Sequence, residues 1–196
     1  MTFGIDLGTT YSCVAHIDET GTPLIIKSAI GEDTTPSVVY FESPRSVVVG
    51  RAAKNAALLE PDLVAQLVKR DMGRKVEYKF HGQRHTPETV SALILRELAR
   101  AAAEHSGEAV RDVVITVPAY FGVAGRVATR RAGELAGLNV LDVLDEPVAA
   151  ALPNSRRASP GSRPASASGS AGVPSSRTSW NRPRARASSS PSKYST

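Results

Sequence analysis

The sequence predicts an α/β protein: a mixed sheet whose first strands run antiparallel and whose later part is a βαβ unit, followed by a segment that builds no core. Three observations predict it. Short apolar runs separated by Gly- and Pro-containing turns fill the first third of the chain. Between residues 86 and 144 a helical period, a continuous apolar run, a second helix and another apolar run follow one another. From Pro153 to Thr196 the chain has 14 serines and six prolines, and large aliphatic residues nearly vanish.

Taken in order, Phe3 to Asp6 reads as a buried strand and Tyr11 to Ile17 as its neighbour, with Gly8-Thr9-Thr10 turning between them. Gly21-Thr22-Pro23 turns the chain into a third strand, Leu24 to Ile26. Val38 to Phe41 and Val47 to Val49 form a hairpin around Ser43-Pro44. Arg51 to Leu59 is alanine-rich and predicts a helix that Pro61 stops. Val76 to Phe80 predicts an edge strand before His81-Gly82. Thr86 is suited to cap a helix that has Pro87 at its first position, and Val90, Leu93, Ile94, Leu98 and Ala101 line one face of it as far as Gly107. Val113 to Val117 is a continuous apolar run, which predicts a strand buried on both faces. A helix over 123–136, closed by Gly137, then leads to a parallel strand over 140–144.

The net charge of +5 conceals an asymmetry. Residues 1–152 carry 16 Lys+Arg against 19 Asp+Glu, net −3, while residues 153–196 carry eight basic residues and no acid, net +8. The basic character belongs to the tail. Its composition cannot bury enough apolar surface to offset chain entropy, so disorder is expected there, with a domain boundary at 152. The lone cysteine, Cys13, has no internal partner and is expected to be a buried, inert thiol. No apolar run has the length of a membrane span and no signal-peptide pattern opens the chain, so a cytoplasmic location is expected.

The block most informative for chemistry is Gly4-Ile5-Asp6-Leu7-Gly8-Thr9-Thr10-Tyr11-Ser12-Cys13-Val14-Ala15. A tight turn with a small residue and two hydroxyls lets backbone N–H groups and hydroxyls come close to a phosphate, Gly8 adding no side chain and tolerating positive φ. Asp6, at the end of the first strand, is placed to hold a hydrated Mg²⁺ through water. Those few residues alone equally describe an ordinary hairpin turn. His81 and His85 are four apart, but Gly82 and Pro87 place them in a surface loop with no third ligand, so they are not read as a metal site.

The twelve-residue block resembles the first phosphate loop of the Hsp70 (DnaK-type) chaperones. Val114-Ile115-Thr116-Val117-Pro118-Ala119-Tyr120-Phe121 resembles the strand and turn that follow in that family. So does Ala136-Gly137-Leu138 with Asp145-Glu146-Pro147-Val148-Ala149-Ala150-Ala151-Leu152. The resemblance covers residues 1–152. It implies the first lobe of an actin-like, ribonuclease-H-like ATPase domain that binds ATP or ADP with Mg²⁺, together with unfolded client proteins and co-chaperones as partners. It further implies that Gly8, Thr9, Thr10 and Tyr11 meet the phosphates and that Asp6 reaches the metal through water. Lys69 and Glu146 are implied to orient the attacking water, and Pro118 and Arg126 to transmit nucleotide state to a substrate-binding domain. The sequence departs from the family where Asn-Asp at the start of the second helix is replaced by Gly122-Val123, and Gln by Gly125, which removes the usual capping side chain.

No Asp-x-Gly-Gly-Gly-Thr second phosphate loop, adenosine segment or substrate-binding domain is present in the 196 residues. Half of the cleft is therefore expected, with weak nucleotide binding and negligible turnover alone. The change in composition after Leu152 is what out-of-frame translation of a GC-rich gene would produce. A competing reading is a non-catalytic module whose tail, with Trp180, Arg182, Arg184 and Arg186, attracts nucleic acid or protein. The arginines are scattered among serines with no base-reading element, which weighs against it.

Overall fold

The computed structural model describes residues 1–146, and there the alternation seen in the sequence becomes one main sheet with two small satellites. The strands are β1 (Thr2–Asp6), β2 (Tyr11–Ile17), β3 (Pro23–Ile26), β4 (Thr35–Pro36), β5 (Val38–Ser43), β6 (Ser46–Val49), β7 (Val64–Gln66), β8 (Tyr78–Phe80), β9 (Gln83–His85), β10 (Asp112–Val117) and β11 (Asn139–Asp145). The helices are α1 (Arg51–Ala56), α2 (Pro87–Ser106) and α3 (Val123–Leu135). The main sheet has the order β11-β10-β1-β2-β3, with β4 pairing to β2. β1 runs parallel to β10 and antiparallel to β2, and β10 runs parallel to β11, so the sheet is mixed.

Local signals account for α2 at both ends. The Thr86 hydroxyl accepts from the Thr89 N–H and the Thr89 hydroxyl accepts from the Thr86 N–H, a capping box with threonine at its third position. Gly107 closes the helix in the left-handed conformation at φ 73°. The buried face comprises Val90, Ile94, Leu95 and Leu98, each stabilising by about 1.5–3 kcal/mol on burial. That face packs with Ala128 and Ala132 of α3 onto Phe3, Ile5, Val14, Val113, Ile115, Val140 and Val143 of the sheet.

The opposite face of the sheet is not covered by any element among the described residues. Gly4 and Asp6 are exposed, Cys13, Ala15, Val114 and Thr116 are half-buried, and Ile25 is exposed. The expectation that 113–117 is buried on both faces is therefore corrected. Val113, Ile115 and Val117 are buried while Val114 and Thr116 alternate to the open face, as the period of two requires.

Three further expectations change. α1 ends at Ala56 and continues only as turns, because Leu58 and Leu59 are exposed and have no core to join. The 76–80 strand does not stand alone: Tyr78–Phe80 pairs with Gln83–His85 across His81-Gly82, whose positive φ values of 49° and 78° match the two-residue turn that suits strand twist. His81 is exposed in this turn, as expected of a surface residue, whereas His85 lies on β9 and is half-buried. The ring of His81 hydrogen-bonds the Phe41 carbonyl at 2.7 Å, and His85 lies 4.6 Å from the Phe41 ring, itself stacked on Phe80. Burial lowers the proton affinity of His85 below its ordinary value. The tail reading, the boundary at 152 and Pro147 lie outside the described residues.

Candidate functional site

The three parallel strands β1, β10 and β11 end together, and ligand chemistry in open α/β sheets gathers at such carboxyl ends. Asp6 ends β1, Val117-Pro118 ends β10, and Asp145-Glu146 ends β11. Asp6 is exposed, and one of its carboxylate oxygens accepts from Thr116 Oγ1 at 2.9 Å, which fixes the carboxylate above the strand ends. Among the described residues no group of three or more His, Cys, Asp or Glu is placed to hold a metal. A single oriented carboxylate suits a Mg²⁺ that keeps its waters and takes its remaining ligands from phosphate oxygens.

The turn after β1 is held by close backbone approach. Gly8 does not have a positive φ, which corrects the conformational reason given above. Its requirement is space: a Cβ there would lie 1.9 Å from the Tyr11 carbonyl oxygen. The loop is braced from inside, since Gly8 N–H donates to Ser12 Oγ at 3.1 Å, Ser37 Oγ donates to the Gly8 carbonyl at 2.8 Å, and Ser37 N–H donates to the Thr10 carbonyl at 2.9 Å. The hydroxyls of Thr9, half-buried, and Thr10, exposed, make no hydrogen bond among the described residues. Lys54 Nζ donates to Tyr11 Oη at 2.7 Å and stands 4.8 Å from the ring centroid, and that hydrogen bond and charge lower the Tyr11 proton affinity.

Lys69 reaches the same edge from a single 3₁₀ turn, Val68–Asp71. Leu67 before it is left-handed at φ 58°, costing about 1–2 kcal/mol for a residue with a Cβ. Lys69 is buried, whereas its neighbour Arg70 is exposed. Its Nζ donates to Glu146 Oε1 at 3.1 Å, across 77 residues of sequence, and lies 5.7 Å from the Phe121 ring centroid. Phe121 in turn closes a turn onto the Pro118 carbonyl at 2.9 Å. Gly125 makes room for it, because a Cβ at that position would meet Phe121 Cδ2 at 2.8 Å.

Arg126 lies one turn along α3. Its guanidinium donates to the Val143 carbonyl at 3.1 Å and pairs with Asp145, tying the helix to the strand end that precedes Glu146. α3 begins at Val123, and Gly122 before it supplies no side-chain cap. The structure therefore brings Lys69 and Glu146 into contact, sets the Phe121 ring near Lys69, and anchors Arg126 to Asp145, the neighbour of Glu146. Asp6 and the Gly8–Tyr11 loop sit at the end of the central strand.

Sequence reasoning missed Thr116, Ser12, Ser37, Lys54 and Phe121. Ser12, Thr116 and Phe121 sat inside quoted motifs, but only strand register reveals that Thr116 faces Asp6. Ser37 and Lys54 carried no local signal. The half-buried Cys13 pairs with Asp6 across the strands, and its proton affinity is raised, chiefly by burial and secondarily by the Asp6 charge.

A family model described as Hsp70 protein matches residues 2–79 and 74–154.

Proposed function

We propose that this chain, which belongs to the Hsp70 family, contributes the first-lobe half of the ATP site of a cytoplasmic molecular chaperone. The mixed sheet with antiparallel strands at its start and a βαβ unit fits the first lobe of an actin-like ATPase. The observation that carries the reading is the convergence on one sheet edge of an oriented carboxylate (Asp6), a braced Gly-Thr-Thr turn and a buried lysine paired with a glutamate.

In this reading Gly8 and Tyr11 shape the loop, and Thr9 and Thr10 donate to phosphate oxygens. Asp6 holds Mg²⁺ through water; the metal, when bound, neutralises phosphate charge. Lys69 keeps a cation beside the transferred phosphoryl group, and its partner Glu146 accepts a hydrogen bond from the attacking water. Pro118 and Arg126 couple α3 and the strand ends to whatever domain reads the nucleotide state. Clients and co-chaperones would be partners of the complete chaperone, and no helix among the described residues is long and apolar enough to cross a membrane.

We infer that residues 1–152 form the nucleotide-binding part and that 153–196 are a separate basic segment. A complete two-lobe site with micromolar affinity corresponds to about −8 kcal/mol, and half of those contacts leaves about −4 kcal/mol, or roughly millimolar binding. Titration of Mg²⁺-ATP into the full chain, with an Asp6→Ala variant and a phosphate-release assay, tests this. Roughly millimolar binding, lost in Asp6→Ala, without measurable turnover is the expected result. Micromolar binding with turnover would make the chain a complete enzyme and overturn the half-site reading.

A further inference from the structure

A ring of three hydrogen bonds begins and ends on Gly8, and its direction can be worked out. Gly8 N–H donates to Ser12 Oγ, and Ser37 Oγ donates to the Gly8 carbonyl. The two serine oxygens lie 2.9 Å apart. A hydroxyl has one proton, and that of Ser37 is committed to the carbonyl, so the proton between the serines belongs to Ser12. The order is Gly8 N–H to Ser12 Oγ, Ser12 O–H to Ser37 Oγ, Ser37 O–H to Gly8 C=O, and each donor polarises the next. Ser12 and Ser37 are 1% and 4% exposed, so the bond between them is shielded from solvent competition, while the two bonds to Gly8 are partly buried.

Ser37 comes from 29 residues beyond Gly8 and is delivered by β4, whose Pro36 and Thr35 pair with Tyr11 and Ser12. Its own N–H takes the Thr10 carbonyl. Two carbonyl oxygens of the turn, the groups that would repel an anion, are thereby bound to a single buried residue. The Thr9 and Thr10 hydroxyls have no partner among the described residues, Thr9 being half-buried and Thr10 exposed.

We propose that Ser37, acting through Ser12 and Gly8, is the positioning residue of this phosphate loop: it withdraws the loop's carbonyl oxygens from the anion and presents the Thr9 and Thr10 donors to it. The role rests on the nucleotide reading above. Ser37→Ala leaves both the Gly8 carbonyl and the Ser12 hydroxyl proton without partners, whereas Ser37→Thr keeps the hydroxyl.

The test is an NMR titration of Mg²⁺-ATP into the full chain and into Ser37→Ala, Ser37→Thr, Ser12→Ala and Val39→Ala. Val39 is buried on β5 between Val49 and Ala65, so its variant controls for lost packing away from the loop. Ser37→Ala should weaken Mg²⁺-ATP about tenfold. Ser37→Thr should recover most of that loss, and Ser12→Ala, the milder change, should weaken binding severalfold. Val39→Ala should lower the melting temperature without changing affinity. Without nucleotide, the Gly8 amide should exchange faster in both serine-to-alanine variants. Parental affinity in Ser37→Ala or Ser12→Ala overturns the role, as does an equal loss in Val39→Ala. A parent chain that binds no Mg²⁺-ATP overturns the nucleotide reading and the role together, an outcome distinct from a binding parent with unaffected serine variants.

Discussion

The Gly8–Tyr11 turn and the Lys69–Glu146 pair lie at the same end of the sheet but are held there by opposite means. The loop is fixed by neutral, largely buried hydrogen bonds that close on themselves between the turn, Ser12 of β2 and Ser37 just after β4. The pair is fixed by charge, with the Lys69 side chain 4% exposed and that of Glu146 43% exposed. Neutral buried bonds are nearly indifferent to salt, and their loss leaves unsatisfied polar groups. A half-exposed ion pair contributes little in itself, yet its buried member is costly once left alone. One half is rigid by construction, and the other depends on a partner at the end of β11.

The largest effect should come from filling the rigid half. Gly8→Ala places a methyl 1.9 Å from the Tyr11 carbonyl, which only backbone movement can relieve. Expected are loss of detectable Mg²⁺-ATP binding and a destabilisation of about 2–4 kcal/mol by urea denaturation. Parental stability would show that the loop is not rigid.

The charged half should respond asymmetrically. Glu146→Ala, which strands a buried lysine, should destabilise by about 1–2 kcal/mol, a value discounted for the exposure of Glu146. Lys69→Met, which replaces the buried charge with an apolar chain of similar length, should stay within about 1 kcal/mol of the parent. Equal losses in both would remove the distinction drawn here. Away from both halves, Thr86→Ala should cost about 1 kcal/mol through the lost cap and leave nucleotide affinity unchanged.

The smallest effect concerns pH. His85, whose folded-state proton affinity is lowered by burial, contributes stability that is present above its ordinary value of 6.5 and is lost as pH falls below it. Between pH 7 and pH 5 the melting temperature should therefore fall less in His85→Gln than in the parent, by a few °C at most. An identical decline in both would show that His85 is not part of the acid limb.

Legibility followed sequence distance. Thr86, Pro87 and Gly107 bounded α2 because caps are local chemistry, and the Gly8 turn was visible because β1 and β2 are neighbours. The β8–β9 pairing was missed because Gln83, Arg84 and His85 lack β-branched or apolar character. Burial of Val113–Val117 on both faces was inferred from apolar composition alone, which cannot say what covers the second face. In the site, the tight turn after Asp6 was readable locally, but its chemical meaning came only with the family resemblance. The contact between Lys69 and Glu146 was not readable, and both residues were singled out only through the family resemblance. Thr116 and Ser37 are defined entirely by register with distant strands.

The position of β1 bears on the order in which the chain can assemble. β1 precedes both of its neighbours in the chain and is the middle strand of the path β11-β10-β1-β2-β3, flanked by β2 on one side and by β10 on the other. Its antiparallel side can pair at once, but its parallel side must wait for Asp112 to Val117, and the Thr116–Asp6 bond spans 110 residues. Such high contact order slows folding and leaves the open edge of β1 available to other chains meanwhile. Asp6, which the proposed function places at the metal, thus lies on a strand whose second neighbour arrives only after more than a hundred further residues, so its position is among the last parts of this sheet to be secured.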